Sequence, residues 1–272
     1  MTPTDEDRAG PATIRVDGAT AVTAAQLRSL SGADALRLRV DGLHAGYGRS
    51  EVLHGIDLAL GCGQSLCLVG PNGAGKSTVL NAVFGLADVH KGCVAVDGED
   101  VMRLGCTGRL QHAGIAYVLQ ENSTFPDLSV EQNLRLGGYL MRGEASVRAA
   151  VARIFDRYPR LAERRRQRAA VLSGGERRLL EIARSLMLMP RLLLIDEPSI
   201  GLEPRAIVQI FEMLRDLQQR DGVSILLVEQ NVRQGLEFAD LGYVLVDGRV
   251  LAAGTGADML RDRSVGQLFL GV

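Results

Sequence analysis

Lysine is nearly missing from this chain. Of its 31 lysines and arginines, only Lys76 and Lys91 are lysines, so each invites a specific explanation. Net charge is missing too. The formal value is −1 over 272 residues, without the basic excess by which nucleic-acid-binding proteins grip phosphate backbones. Long apolar runs are absent. The longest reach, SLMLMPRLLLI, is broken by Pro190 and Arg191 and falls short of the roughly 18 residues of a membrane span. Any membrane role is therefore expected to come through a partner. The opening MTPTDEDRAGPAT is acidic and polar and lacks the apolar core of a secretory signal. Cys62, Cys67, Cys93 and Cys106 form no C-x-x-C pair and have no histidine at zinc spacing. They are expected to be small apolar residues in a reducing compartment. His44, His54, His90 and His112 are likewise scattered without metal spacing.

What is present describes a folded α/β protein. Hydrophobic residues make up 46% of the chain, and the length fits one large domain or a domain with a subdomain. Residues 1–34 show little periodicity and are expected to be a disordered extension, with VTAAQLRSL able to form a short helix. Leu36, Leu38 and Val40 alternate, as do Ile56, Leu58 and Leu60, which predicts strands of an antiparallel layer. SLCLV predicts a buried strand, and residues 76–86 a helix ending near Gly85. CVAVDGEDV and GIAYVLQ predict two more strands, the first with an Asp97-Gly98 turn. From about 125 to 172 there is no strand signal. Ser129 and Gln132 make a capping-box pattern, and this block reads as a helical subdomain inserted into the core. RYPRLAERRRQR, within it, reads as a solvated face or linker, since Tyr158 is its only aromatic. A helix over 174–189, the strand RLLLID, a helix over 204–219, the strand SILLVE, a short helix and the hairpin YVLVDGRVL follow. Strands alternating with helices predict a mainly parallel sheet.

Chemistry concentrates in three stretches. The first is GPNGAGKST, residues 70–78. Gly70, Pro71, Asn72, Gly73, Ala74 and Gly75 form a loop that Lys76, Ser77 and Thr78 complete, fitting G-x-x-x-x-G-K-[ST]. Glycines let backbone N–H groups crowd around a phosphate, and the helix that starts there adds a positive dipole end. Lys76 would reach the β- and γ-phosphates and Ser77 Oγ would bind Mg²⁺. A chance glycine-rich loop needs no strand before it and no helix after it; both are predicted here. The second stretch is LLLIDEP, residues 192–198. Asp196 at the strand's end would hold Mg²⁺, and Glu197 could polarise an attacking water as general base. Such a strand ending is common by itself, and gains meaning from the loop about 120 residues upstream. The third is VLSGGERRLLEIARSLM, residues 171–187. Ser173 and Glu176 make a second capping box, which a well-capped amphipathic helix would explain. Gly174 and Gly175 are not so explained, because glycine costs about 1 kcal/mol in a helix relative to alanine. Bare N–H groups at a helix start suit an anion.

These three stretches, in this order, resemble the Walker A loop, the signature LSGGE and the Walker B strand of ATP-binding-cassette (ABC) transporter ATPase subunits. The resemblance runs from about Leu36 to the C-terminus. It implies an α/β P-loop NTPase ABC-ATPase core with an antiparallel β layer and an inserted helical subdomain, with ATP and Mg²⁺ as cofactors. It also implies a head-to-tail dimer, in which Ser173, Gly174 and Gly175 serve the nucleotide of a second ABC ATPase subunit. Tyr47 resembles the aromatic that stacks on adenine, Gln120 the glutamine that contacts Mg²⁺ and water, and SIGLEP the D-loop, with Glu203 where Asp is usual. One departure is Gln230, which stands where the family usually has a switch histidine. Glutamine can donate a hydrogen bond to a γ-phosphate but cannot titrate, so slow hydrolysis with Gln230 as sensor is expected.

With VEQN, GLEFADLGYVLVDGRVLAAGT and a terminal LFLGV, the chain is similar to one ATPase of branched-chain amino-acid importers, whose relatives move urea and short amides. That similarity implies two membrane permeases, a periplasmic solute-binding protein, no nucleic acid, and a peripheral place on the cytoplasmic face of the inner membrane. Two other functions stay open. One is a soluble ATPase switch on DNA or ribosomes, against which stand a single cassette and no sustained heptads. The other is a regulatory subunit with dead chemistry, against which stand Lys76, Asp196 and Glu197.

Overall fold

The computed structural model describes residues 13–15, 24–120, 123–262 and 265. Two sheets organise them. In the larger, β4 (Ser65–Val69), β7 (Ile115–Val118), β8 (Leu192–Asp196), β9 (Ser224–Val228) and β10 (Leu241–Val246) run parallel, in the spatial order β10-β4-β9-β8-β7. β11 (Arg249–Thr255) and β1 (Thr13–Arg15) extend the β10 edge antiparallel. The smaller sheet is antiparallel, in the order β3 (Ser50–Gly61), β2 (Leu36–Tyr47), β5 (Asp88–Val96), β6 (Glu99–Asp100).

Alternation along the parallel strands makes two cores from one sheet. Side chains point to opposite faces with period two. Leu66, Leu68, Leu192, Leu194, Leu226 and Val228 therefore join the core shared with the antiparallel sheet and with α2 (Lys76–Phe84). Cys67, Val69, Leu193, Ile195, Ile225 and Leu227 join the opposite core. That second core also packs α7 (Gly174–Ser185) and α8 (Pro204–Asp221). Strands buried on both faces read as unbroken apolar runs, which is why SLCLV, LLLI and SILLV were legible.

Between β7 and α7 lie α4 (Val130–Gly137), α5 (Glu144–Arg157) and α6 (Pro159–Glu163); α3 (Cys106–Gln111) precedes β7. Both capping boxes form: Ser129 with Gln132 at α4, and Ser173 with Glu176 at α7. Three arginines of the basic run pair with carboxylates elsewhere in the fold. Arg157 meets Asp216 and Asp221, Arg164 meets Glu176, and Arg165 meets Glu131. The helices α9 (Val232–Phe238) and α10 (Gly256–Arg261) flank the last hairpin. No described helix is long and apolar enough to cross a membrane.

Within residues 1–34, expected to be disordered apart from a short helix in VTAAQLRSL, the structure places an unforeseen strand and a helix over that stretch. Thr13–Arg15 pair with Arg15↔Ala252 and Thr13↔Gly254 on the sheet edge, and α1 (Ala24–Ser31) is a docked helix. Its Leu27 is fully buried in the core of the antiparallel sheet, and Gln64 Nε2 donates to the Ser31 carbonyl at 2.8 Å. Half-buried Leu30 packs beside Leu27 against the same core. The remainder of that extension, residues 1–12 and 16–23, and the terminal LFLGV lie outside the described residues.

If α1 is part of the cooperative unit, Leu27→Ala lowers unfolding free energy by about 2–5 kcal/mol, as for buried leucines elsewhere. Denaturant unfolding checks this; an unchanged midpoint would mean the helix is a bystander.

Candidate functional site

Four parallel strands deliver chemistry to one edge of the sheet, their carboxyl ends. The chain leaves β4 into the glycine-rich loop, β7 toward Gln120, β8 into Asp196 and Glu197, and β9 into Glu229 and Gln230. The loop's tightness has specific causes. A Cβ at Gly70 would lie 2.1 Å from the Leu245 carbonyl oxygen on β10. Gly75 sits at φ 98°, with a hypothetical Cβ 2.8 Å from Leu53. Only glycine tolerates both the conformation and the contact. Beyond the loop, Arg109 secures the far end of α2, donating to the Ala82 and Val83 carbonyls at 2.7 and 2.8 Å, where a cation also suits the helix dipole.

Lys76 is buried and its Nζ donates to the carbonyls of Gly70 and Pro71, at 2.9 and 3.0 Å. The ammonium thus lies over the loop that the amides line. Burial lowers its proton affinity, against the opposing pull of Glu197 and Asp196. Asp196 is buried as well, and burial raises its carboxyl above the ordinary range, although Ser77 and the Tyr117 hydroxyl hydrogen-bond to it. The Tyr117 hydroxyl donates to Oδ2 at 3.3 Å. Asp196 Oδ1 has no hydrogen-bond partner among the described residues. A buried, unsatisfied carboxylate oxygen beside a serine hydroxyl is a donor set that suits a hard cation taking oxygen ligands, so the residues fit Mg²⁺.

Glu197 follows at φ 43°, a conformation that costs a non-glycine residue of order 1–3 kcal/mol and collects at functional sites. Its backbone N–H donates to the Val228 carbonyl at 2.9 Å, and its Oε2 accepts from Gln120 Nε2 at 2.7 Å. Gln230 Nε2 donates to Asn72 Oδ1 at 3.0 Å, which brings the residue after β9 against the glycine-rich loop. Asn72, Lys76, Ser77, Gln120, Glu197 and Gln230 accordingly line one cleft of about 440 Å³, and Gly73, Gly75 and Thr78 line it with them.

Other expected site residues lie elsewhere. Tyr47, at the end of β2, is exposed and outside that cleft's lining; its hydroxyl accepts from Asn81 Nδ2 of α2 at 2.7 Å. Ser173 and Gly174, at the start of α7, are exposed. Gly174 lines a separate cleft of about 320 Å³ that shares Gln120 and Ile200 with the first. Gly175 has a packing reason of its own, since a Cβ there would come 2.6 Å from that of Ala206 on α8. The glycine pair is thus half explained by helix-to-helix approach.

Two residues escaped the reading of the sequence. Glu229 is fully buried, and burial raises its carboxyl's proton affinity. It accepts from Ser199 N, Ser199 Oγ, Gln230 N and Asn231 N, all at 3.0–3.1 Å. One side chain thereby joins the loop after Glu197 to the loop holding Gln230. Its signal was available: like Asp196, it ends an apolar strand. Arg178 on α7 is also buried and bonds the carbonyls of Leu119 and Asp196; nothing local distinguishes it from a solvated helix arginine.

Glu229→Ala strips an acceptor from three backbone donors, those of Ser199, Gln230 and Asn231, at about 1–3 kcal/mol for such a loss. Chemical denaturation is expected to show that drop. Nucleotide turnover should fall with it as the two loops come apart, and full activity in a destabilised variant would deny Glu229 that joining role.

The ABC transporter family model matches residues 53–200. The high-affinity branched-chain amino acid transport ATP-binding protein BraG of Pseudomonas aeruginosa is 39% identical over 234 residues, covering 86% of this chain and 99% of BraG. The lipopolysaccharide export system ATP-binding protein LptB of Haemophilus influenzae is 32% identical over 237 residues, covering 86% and 97%. The crystal structure of the ADP conformation of MJ1267, an ATP-binding cassette of an ABC transporter, superposes with a TM-score of 0.78 at 26% identity, covering 87% of this chain and 99% of that one. With the glycine-rich loop, the paired carboxylates and the capped LSGGE helix all in place, the chain belongs to the ABC transporter ATPases, a family that binds and hydrolyses ATP.

Proposed function

We propose that this chain is the ATP-hydrolysing subunit of a multi-subunit ABC importer for a small polar solute, with branched-chain amino acids as the first candidate. The observation that carries the choice is the end-to-end similarity to BraG at 39% identity. Urea or a short amide is the alternative cargo. Export is the second reading, favoured by the similarity to LptB at 32% identity.

The geometry supports a division of labour. Backbone N–H groups from Asn72 to Thr78 and the buried Lys76 bind the β- and γ-phosphates. Ser77 and Asp196 would hold Mg²⁺, with Gln120 beside them; the ion, when bound, neutralises phosphate charge. Glu197 accepts the proton of the attacking water, and the 2.7 Å bond from Gln120 fixes its carboxylate. Gln230, held against Asn72, donates to the γ-phosphate. Tyr47 stacks on adenine. The exposed Ser173 and its two glycines cap the nucleotide of a partner ATPase, in a head-to-tail pair.

ATPases of this family work as dimers with membrane permeases. A groove of about 420 Å³ lined by Phe84, Leu110, Leu136 and Tyr139 lies where α3, α4 and the segment after β7 meet, and Tyr139 is 83% exposed. This groove would receive the permease, beneath two permease subunits served by a solute-binding protein outside the cell. The chain would then sit peripherally on the cytoplasmic face of the membrane.

Purification of the native complex tests the assembly: a second ATPase, two permeases and a solute-binding protein should travel together, and lipopolysaccharide-export components in their place would overturn import. For the chemistry, Glu197→Gln should cut hydrolysis by about 100-fold or more and trap an ATP-bound pair on size exclusion. A pair that dissociates in ATP as readily as wild type counts against Glu197 as base. Gln230→Ala, losing one hydrogen bond to a charged group, should slow the assembled complex by about tenfold; unchanged turnover removes the sensor role.

A further inference from the structure

Arg178 and Glu181 form an ion pair one turn apart on α7, at 2.9 Å, and each residue is only 5% exposed. Arg178 spends its guanidinium on three acceptors. Nη1 donates to the Leu119 carbonyl at 2.7 Å and to Glu181 Oε2, while Nη2 donates to the Asp196 carbonyl at 2.7 Å. The other oxygen of Glu181 accepts from the Ser123 N–H at 3.2 Å. Leu119 immediately precedes Gln120, and Asp196 immediately precedes Glu197. One planar fork therefore grips the backbone just before each of the two residues that share the 2.7 Å Gln120–Glu197 bond.

Stability does not explain this arrangement. A buried ion pair gains little over well-packed apolar residues, because desolvation offsets the attraction. Here the pair also leaves Arg178 Nε buried without a partner among the described residues. What it supplies is geometry. Arginine's rigid fork holds two carbonyls and a carboxylate at fixed angles, which lysine's single ammonium cannot do. The fork stands on α7, whose first residues, Ser173 and Gly174, are exposed.

We propose that Arg178, held by Glu181, is a positioning residue that ties the exposed start of α7 to the placement of Gln120 and Glu197 in this chain's own cleft. Movement of α7 when its exposed end engages a partner's nucleotide is transmitted through the fork to the backbone of both residues. The inference rests on the reading of Glu197 as the hydrolytic base, and it adds a route by which one nucleotide site of a dimer sets the competence of the other.

Arg178→Lys in the assembled complex tests it, with kcat normalised to bound nucleotide. Expected is a kcat lowered by about tenfold with KM for ATP within about twofold, because binding by the glycine-rich loop is untouched. The Hill coefficient for ATP should fall toward one. An unchanged kcat and Hill coefficient, with or without a lower melting temperature, would leave Arg178 a structural residue and overturn the proposal. If Arg178→Lys fails to fold, Glu181→Gln decides by the same split, since it leaves Arg178 both carbonyl contacts and weakens the carboxylate that anchors the fork and accepts from Ser123: a lower kcat at constant KM supports positioning, and wild-type kinetics overturn it. Glu197→Gln measured alongside separates the two readings. Retained hydrolysis there refutes the base, whereas its loss beside a wild-type Arg178→Lys refutes only the coupling.

Discussion

Desolvated charge at the carboxyl edge of the parallel sheet is the constraint on which the rest of this structure depends. Lys76 and Asp196 are both buried, and burial pushes each toward its neutral form. The carboxylate keeps an oxygen with no partner among the described residues, and Glu197 stands in a left-handed conformation. A chain selected only for stability would replace such features. They persist where phosphate and a cation complete the charge balance, and where a site excludes water so that each remaining interaction is strengthened.

The scaffold follows from that requirement. Placing a lysine, a glutamate and two glutamines in one cleft takes parallel strands whose ends coincide, and parallel strands must be buried on both faces. The two cores, one toward the antiparallel sheet and one toward α7 and α8, supply that burial. The loops that leave the strands are then stitched by buried charged side chains. Glu229 gathers the loops after β8 and β9, and Arg178 gathers those after β7 and β8. The catalytic edge is thus held by ionic groups because the segments there are irregular backbone, whose N–H and C=O groups need partners that a sheet ladder no longer provides.

The exposed LSGGE helix start gives the same physical idea a second use. Its glycines serve partly to let α7 approach Ala206, yet Ser173 and Gly174 remain open to solvent beside a cleft that borders Gln120. A chain that, on the proposed reading, holds phosphate in one cleft and offers an anion-binding helix start on another surface is suited to pairing with a similar chain. On the proposed reading, the distance between those two surfaces within one chain is what Arg178 spans.

The sequence by itself determined the parallel strands, the glycine-rich loop, the acidic pair and both capping boxes. Each is written in a local period or a fixed spacing: four consecutive apolar residues for a doubly buried strand, a glutamine or glutamate three positions after a capping serine, and the G-x-x-x-x-G-K-S spacing of the loop. Only the tertiary structure decided the rest. Leu27 docks α1 on the core, Gln120 meets Glu197 across 77 residues of chain, and Gln230 meets Asn72 across 158. Arg178 reads as a surface charge until α7 is packed against the strand ends and desolvates it. Burial and long-range hydrogen bonding belong to the packing of elements against each other, and no local pattern encodes which polar side chain will find itself inside.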